Sequence, residues 1–237
     1  LSSGWAWKIP LANRYGNGYV YSSEFLSEAE AEQELKTHLK ISPQDNVTVR
    51  HLKMKVGRVD KHWNRNCLAV GLSQGFIEPL EATALMLVQF TLEEFIQKYT
   101  NNEQQVLQQE NFNNKVNQMI EGVRDYIVTH YKVNSKSNSP YWKKCREHTN
   151  ISSNLTALLN AWGDPELFEY ELEKQQDSLV YLRPSWYVIL AGMGLFPEKA
   201  ILPNTAEDNH LQAQNYCINV VNKLFPDHRE YLDNMSS

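Results

Sequence analysis

The chain has 237 residues, of which 42% are apolar and 22% charged, and its formal net charge is −5. These values are typical of a globular protein with enough material for one large or two small hydrophobic cores. The acidic balance, without a face rich in lysine and arginine, argues against a nucleic-acid partner. No apolar run approaches the roughly 18 residues that cross a bilayer, so we expect no membrane partner either.

The three cysteines, Cys67, Cys145 and Cys217, lie far apart and include no C-x-x-C pair. This spacing is typical of reduced thiols in the cytoplasm rather than of disulfides or a zinc site. The histidines are scattered, and none of them stands four residues from another. We therefore predict a cytoplasmic protein without a metal site.

The first 75 residues show the alternating apolar pattern of β-strands. We predict strands over residues 5–11, 19–21, 47–59 and 66–72. The dipeptide Asn17-Gly18 is typical of a hairpin turn, because both residues tolerate a positive φ. One helix interrupts this region between Ser27 and Leu39, where Ser27 and Glu30 provide a capping box.

After residue 75 the pattern becomes mostly helical. Apolar residues at helical spacing predict two long helices and three shorter ones, over residues 82–99, 103–131, 155–162, 186–195 and 211–224. We therefore predict an α+β fold in two portions. Residues 1–75 form a strand-rich portion, and residues 76–237 form a mainly helical one.

Two tryptophans stand near the start of the chain, in the segment Gly4-Trp5-Ala6-Trp7-Lys8-Ile9-Pro10. Residues two apart in a strand project to the same side, so the two indoles lie beside each other. Each indole carries an N–H that needs a partner if it is buried. On residue type alone, a pair of core tryptophans is the preferred interpretation.

The strongest chemical signal is the loop and helix start Gly75-Phe76-Ile77-Glu78-Pro79-Leu80-Glu81-Ala82-Thr83. Gly71 and Gly75 allow a tight turn and a close approach of backbone to a ligand. The helix after Glu81 offers unpaired N–H groups and a positive dipole end, which together bind anions. Capping explains Glu78 best, whereas capping and catalysis are equally open for Glu81.

Taken together, these two segments resemble the signatures of the flavin-dependent tryptophan halogenases. The first is similar to the family's W-x-W-x-I-P motif and the second to its G-F-[VI]-E-P-L-E-S-T segment, in the same order. The resemblance implies that the chain completes an FAD-dependent α/β monooxygenase fold of the p-hydroxybenzoate-hydroxylase type. We expect the N-terminal half of that fold, with the FAD fingerprint and the catalytic lysine, to be absent from the chain.

The resemblance also implies a reaction. Reduced FAD, supplied by a separate flavin reductase, reacts with oxygen, and a bound chloride or bromide is converted to hypohalous acid. The acid travels through a tunnel to an indole or a related aromatic substrate. Members of the family often form homodimers.

Family roles transfer to the matching positions of this sequence. The resemblance implies that Glu81 is the catalytic carboxylate facing the substrate, and that Thr83 and Ala84 line the halide site. Leu72 and Leu85 would contact the flavin. The barrier and tunnel between flavin and substrate would be formed by Trp5, Trp7, Ile9 and Pro10.

Departures from the family pattern leave alternatives open. Ala82 stands where the family has Ser, and Ala84 where it has Gly. The Tyr-Tyr pair and downstream Glu that hold free tryptophan have no clear copy; the corresponding region offers Tyr170, Glu171, Glu173 and Tyr181. A flavin-dependent aromatic hydroxylase on the same scaffold is one alternative. A non-catalytic helical lid or dimerisation fragment is another.

Overall fold

The computed structural model describes residues 1–42, 44–99, 105–135, 137–196 and 206–235. The strands are β1 (Gly4–Pro10), β2 (Tyr15–Tyr21), β3 (Gly57–Arg58), β4 (Trp63–Asn64), β5 (Cys67–Leu68) and β6 (Gly75–Phe76). The helices are α1 (Glu28–His38), α2 (Ala84–Lys98), α3 (Gln105–Lys132), α4 (Pro140–Glu147), α5 (Ser153–Ala161), α6 (Pro165–Lys174), α7 (Arg183–Gly192), α8 (Ala206–Leu224) and α9 (His228–Met235).

The described residues form two compact units. One contains residues 3–41 and 206–235, and the other contains residues 42–196 apart from the gaps. Helices dominate, and apart from the seven-residue β1 and β2 each strand in the described ranges has only two residues. The division predicted at residue 75, between a strand-rich and a helical portion, stays a prediction.

The turn predicted at Asn17-Gly18 is wrong. Both residues lie inside β2, where Gly18 is paired with Trp7 of β1. The chain reverses earlier, where the N–H of Leu11 donates to the carbonyl of Arg14 at 2.8 Å. A Cβ on Gly18 would stand 2.3 Å from the Trp7 ring. This glycine therefore makes room for an indole rather than for a turn.

The predicted helices are confirmed. The helix after Ser27 has the capping box with Glu30, and α2, α3, α5, α7 and α8 overlap the other five predictions. Residues 103 and 104, where the second long helix was predicted to begin, lie outside the described residues. Helices α4, α6 and α9 are additional.

The strand predicted over residues 47–59 is wrong. Only Gly57–Arg58 is a strand there, and it pairs with Gly75–Phe76. Nearly all side chains of residues 47–56 are exposed, so the alternating pattern has no core to face. The strand predicted over residues 66–72 is reduced to Cys67–Leu68, and a 3₁₀ turn follows at Gly71–Ser73.

Helix α3, with 28 residues, organises the unit of residues 42–196. Its first half buries Phe112 and Val116 against Trp63. Its second half places Tyr126 in a cluster with Trp186 of α7 and residues of α5 and α6. None of the helices in the described ranges is both long and apolar enough to span a bilayer.

Candidate functional site

The backbone bends sharply between the loop and helix α2. A 3₁₀ turn at Pro79–Glu81 ends at Ala82, whose φ of 54° lies in the left-handed region. Thr83 occupies the N-cap position without a side-chain capping bond, and α2 begins at Ala84. Because of this bend, Glu81 is not part of the α2 helix that follows.

Neither glutamate of this segment caps α2. The carboxylate of Glu78 accepts a hydrogen bond from the hydroxyl of Tyr131 at 2.6 Å. The Oε1 atom of Glu81 lies 2.7 Å from Nε2 of His130. The capping interpretation is therefore wrong for both glutamates, which instead contact side chains of α3.

Gly75 has a packing role that the sequence did not predict. A Cβ at this position would stand 2.6 Å from the carbonyl oxygen of Gly57 and 2.8 Å from Cα of Arg58. The backbones of β3 and β6 therefore approach each other closely at Gly75, and its approach to a ligand stays a prediction. Gly71, with a φ of 62°, makes the predicted tight turn.

The ring of His130 is held at both nitrogens. Nδ1 lies 2.9 Å from the backbone carbonyl oxygen of Tyr126. A carbonyl oxygen only accepts, so Nδ1 carries a proton. The contact between Nε2 and Glu81 then requires one more proton. The pair consists of an imidazolium and a carboxylate, or of a neutral imidazole and a carboxylic acid.

Two stacked phenols adjoin this pair. The rings of Tyr126 and Tyr181 lie 3.8 Å apart with an angle of 21° between their planes. Burial raises the pKa of both phenols, and the negative charge of Glu81 raises each pKa further. Both tyrosines therefore stay protonated at neutral pH, and the hydroxyl of Tyr126 donates to the backbone carbonyl oxygen of Ser185 at 3.0 Å.

A cavity of about 630 Å³ with mostly apolar walls lies next to the same segment. Leu72 and Leu85, the predicted flavin contacts, both line it. They are 84% and 82% exposed, so each offers almost a whole apolar side chain to a ligand. The volume falls in the range of about 300–1,000 Å³ that is typical of ligand pockets.

The cavity and the Glu81–His130 pair use different faces of α3. Ile120, Arg124 and Ile127 line the cavity. Tyr126 and His130 are not among the described lining residues, and successive helical residues are rotated by about 100°. These two residues therefore project well away from the cavity-lining face, toward Glu81 and Tyr181.

The family model for tryptophan halogenases matches residues 1–207 of the chain. The chain belongs to this family. Tryptophan 7-halogenase KtzQ of Kutzneria sp. (strain 744) is 30% identical over 212 residues, which are 84% of this chain and 39% of that protein. Tryptophan 6-halogenase SttH of Streptomyces toxytricini is 32% identical over 160 residues, 68% of this chain and 30% of that protein.

Solved halogenase structures agree. The tryptophan halogenase of Shewanella frigidimarina superposes with a TM-score of 0.83 at 28% identity, covering 98% of this chain and 45% of that one. BrvH, a flavin-dependent halogenase from Brevundimonas sp. BAL3, gives a TM-score of 0.80 at 29% identity, with 99% and 47% covered. The chain thus spans less than half the length of each of these four halogenases.

The tryptophan pair of the halogenase motif lies in the other compact unit. Trp5 and Trp7 are half-buried on β1, so neither is a fully buried core residue. Ile9 and Pro10 are exposed at the end of the strand. Trp7 packs across Gly18 of β2. The role of these four residues as a barrier and tunnel stays a prediction.

Sequence reasoning missed Tyr126 and His130. They stand four residues apart on α3 and so share one face, and this aromatic–histidine spacing was the available signal. Tyr181, noted as one of four polar candidates between residues 169 and 187, is the one whose phenol interacts with the charge of Glu81. The interactions of Glu81 with His130 and with Tyr181 join residues that are far apart in the sequence.

Proposed function

We propose that the chain is part of an FADH2-dependent halogenase that forms hypohalous acid from a halide and oxygen and halogenates an indole or a related aromatic substrate. One observation carries the proposal. Glu81, which belongs to the halogenase motif, pairs with His130 on one face of α3. The cavity that Leu72 and Leu85 line lies against a different face of the same helix. Such separation suits a reaction in which the oxidant and the arene occupy different chambers.

We assign the aromatic ring of FAD to the cavity, whose walls are mostly apolar. Leu72 and Leu85 would pack against the ring of FAD and exclude water from it. When bound, reduced FAD would supply the electrons that activate oxygen, and oxygen would then oxidise chloride or bromide to hypohalous acid. A separate flavin reductase would supply the reduced form. The backbone N–H groups at Thr83 and Ala84 start α2, and such groups attract the halide ion.

Glu81 would act on the arene. In the proposed substitution a carbon–halogen bond forms while the oxygen–halogen bond of hypohalous acid breaks. The proton shared by Glu81 and His130 converts the departing hydroxide to water, and the ring carbon returns its own proton to Glu81. Hypohalous acid is therefore replaced by water, and the pair ends with the proton count that it had at the start.

The other predicted features belong to the same proposal. Trp5, Trp7, Ile9 and Pro10 would separate the chambers and let only the small acid pass. The enzyme would act in the cytoplasm on a small aromatic molecule, and two copies would form a homodimer.

Aromatic hydroxylation on the same scaffold is the second candidate. It is favoured by Ala82 and Ala84, which stand where the family has Ser and Gly. The missing hydroxyl and the added methyl both alter the neighbourhood of the halide site. The mass of the product distinguishes the two reactions.

The proposal is tested by Glu81→Gln in the protein expressed from its complete gene. The variant removes the carboxylate but keeps its size, so we expect turnover of the arene to fall at least about 100-fold, the order that a general acid–base group contributes. Flavin affinity, measured by fluorescence titration, should not change. Glu93→Gln, at an exposed position of α2, is the matched control. Full activity of Glu81→Gln would refute the assignment.

A further inference from the structure

A second, smaller cavity lies between α3, α5, α7 and the end of α6. Its volume is about 60 Å³. The residues that line it include Gly122 and Asp125 of α3, Leu158 of α5, Gln175 at the end of α6 and Trp186 of α7. None of these five is among the described lining residues of the 630 Å³ cavity. The smaller cavity is therefore a separate space within the unit of residues 42–196.

Two buried polar atoms of this cavity's lining residues have no hydrogen-bond partner among the described residues. They are Nε1 of Trp186 and Oε1 of Gln175. Trp186 is 1% exposed and Gln175 is 7% exposed, so bulk solvent does not supply the missing partners. Buried polar groups in folded proteins nearly always have a partner. Two such atoms on residues that line one cavity point to a molecule inside it.

The hydrogen bonds of Gln175 fix which of its amide atoms lacks a partner. Its Nε2 donates to the backbone carbonyl oxygen of Asn154 at 3.2 Å and to the carboxylate of Glu171 at 3.0 Å. Hydrogen bonds from Gln175 and from Lys174 lower the pKa of Glu171, so its carboxylate is ionised at neutral pH and only accepts. The amide cannot be turned around, because its oxygen would then face two acceptors.

The cavity therefore requires an occupant with both a donor and an acceptor. Oε1 of Gln175 only accepts, and the indole nitrogen of Trp186 only donates. A cation would face the N–H of Trp186, and an anion would lie close to Asp125, which lines the same cavity. A neutral molecule that donates one hydrogen bond and accepts another satisfies both orphan atoms without a charge penalty.

The size of the cavity selects among such molecules. Its volume of about 60 Å³ exceeds the roughly 10–15 Å³ that one water molecule needs. It is far below the roughly 300–1,000 Å³ of pockets for larger organic ligands. Gly122 keeps the space narrow, because a Cβ there would stand 2.2 Å from the carbonyl oxygen of Ser178. The backbone after α6 thus lies directly on α3.

We propose that this cavity is a permanent water site. Water accepts a hydrogen bond from Nε1 of Trp186 and donates one to Oε1 of Gln175, directly or through a second water. The ring of Trp186 packs edge-on against Tyr126, with centroids 5.0 Å apart and planes at 83°. The site therefore lies one ring behind the Tyr126–Tyr181 stack. It is independent of the proposed halogenation, since it involves only the packing of this unit.

The test is a crystal structure of the protein, expressed from its complete gene, at a resolution that shows ordered water. We expect a water within about 3.2 Å of Nε1 of Trp186, bonded to Oε1 of Gln175 itself or to a second water that is. Crystals pressurised with xenon give a second reading, because xenon enters dry apolar cavities. We expect no xenon in this one. An empty cavity, xenon inside it, or a direct bond from Nε1 to a protein oxygen would overturn the proposal.

Trp186→Phe tests whether the indole holds the water. The variant removes the only N–H of that side chain, so we expect the water at this position to be lost. Trp162→Phe is the matched control, because the indole of Trp162 donates to the backbone carbonyl oxygen of Leu195 at 2.9 Å. The control should keep the water at full occupancy. A water at an unchanged position and occupancy in Trp186→Phe would contradict the assignment.

Discussion

Nε2 of His130 lies 2.7 Å from Oε1 of Glu81, while Nδ1 of the same ring lies 2.9 Å from the carbonyl oxygen of Tyr126. The imidazole of His130 therefore holds one carboxylate oxygen of Glu81 in place. His130 belongs to α3, which is anchored in the hydrophobic core through Tyr126. It also holds the proton that the proposed substitution needs. His130 acts through Glu81, which makes it a positioning residue.

Replacing His130 tests this relationship. We expect His130→Phe to lower kcat for halogenation roughly 10- to 100-fold, since a hydrogen bond to a charged group contributes about 1.5–3 kcal/mol. His130→Gln keeps an N–H donor and should recover part of the loss. Steady-state kinetics check both, with His148→Phe at an exposed position as control. Equal kcat values for the Phe and Gln variants would show that the hydrogen bond from His130 to Glu81 does not contribute to halogenation.

The cavity predicts a matched pair of variants on α2. Leu85→Asp places a charge on the cavity wall. Ile96→Asp is the control, because Ile96 is on the same helix but is not among the described lining residues of the cavity. Losing the burial of one leucine costs about 1.5–3 kcal/mol, so we expect the Kd for flavin to rise tenfold or more only for Leu85→Asp. Flavin fluorescence titration measures this. Equal effects of the two changes would contradict the cavity assignment.

The packing of Trp7 predicts a graded series of glycine variants. A Cβ would stand 2.3 Å from the Trp7 ring at Gly18 and 3.2 Å at Gly16, and would meet nothing within 4 Å at Gly163. We expect Gly18→Ala to lower the free energy of unfolding by about 1–3 kcal/mol, Gly16→Ala by less, and Gly163→Ala by least. Chemical denaturation provides the order. A Gly18→Ala protein as stable as the wild type would show that Trp7 lies elsewhere.

Asp125 predicts a pH dependence of stability. Burial raises its pKa above the ordinary 3.8, although a hydrogen bond from Ser152 opposes the rise. The folded state therefore binds this proton more tightly than the unfolded state, so the contribution of Asp125 to stability is complete below pH 3.8 and is lost as the pH rises through the folded pKa.

Asp125→Asn removes this titration and keeps an oxygen that accepts from Ser152. The difference in the free energy of unfolding, variant minus wild type, should therefore increase from about pH 3.5 to about pH 7. Urea denaturation across this range measures the difference. A decrease with rising pH would mean that the carboxylate is stabilised in the fold.

Local features of this protein were predictable from its sequence, and tertiary ones were not. The capping box of Ser27 and Glu30 involves only neighbouring residues, so the sequence alone predicts it. Asn17-Gly18 has an equally strong turn pattern, but the indole of Trp7 needs the space above Gly18, and packing overrides the local preference. The strand predicted over residues 47–59 fails because no core lies beside it.

The candidate site divides in the same way. The roles of Glu81, Leu72 and Leu85 were predicted from the resemblance to the halogenase family. A family motif reflects the fold of many related proteins, and the local pattern of one sequence does not contain that information. The pairing of Glu81 with His130 depends on how α3 packs against the start of α2. Tyr181 reaches the same place from the segment before α7. No local pattern predicts such contacts.

The most direct test of the central claim is the mass of the product. The protein expressed from its complete gene is supplied with reduced FAD from a flavin reductase, with oxygen, bromide and a panel of indoles. Halogenation predicts a product with the isotope doublet of one bromine, abolished in Glu81→Gln and retained in Glu93→Gln. A product heavier by one oxygen atom, or no product at all, would contradict the account.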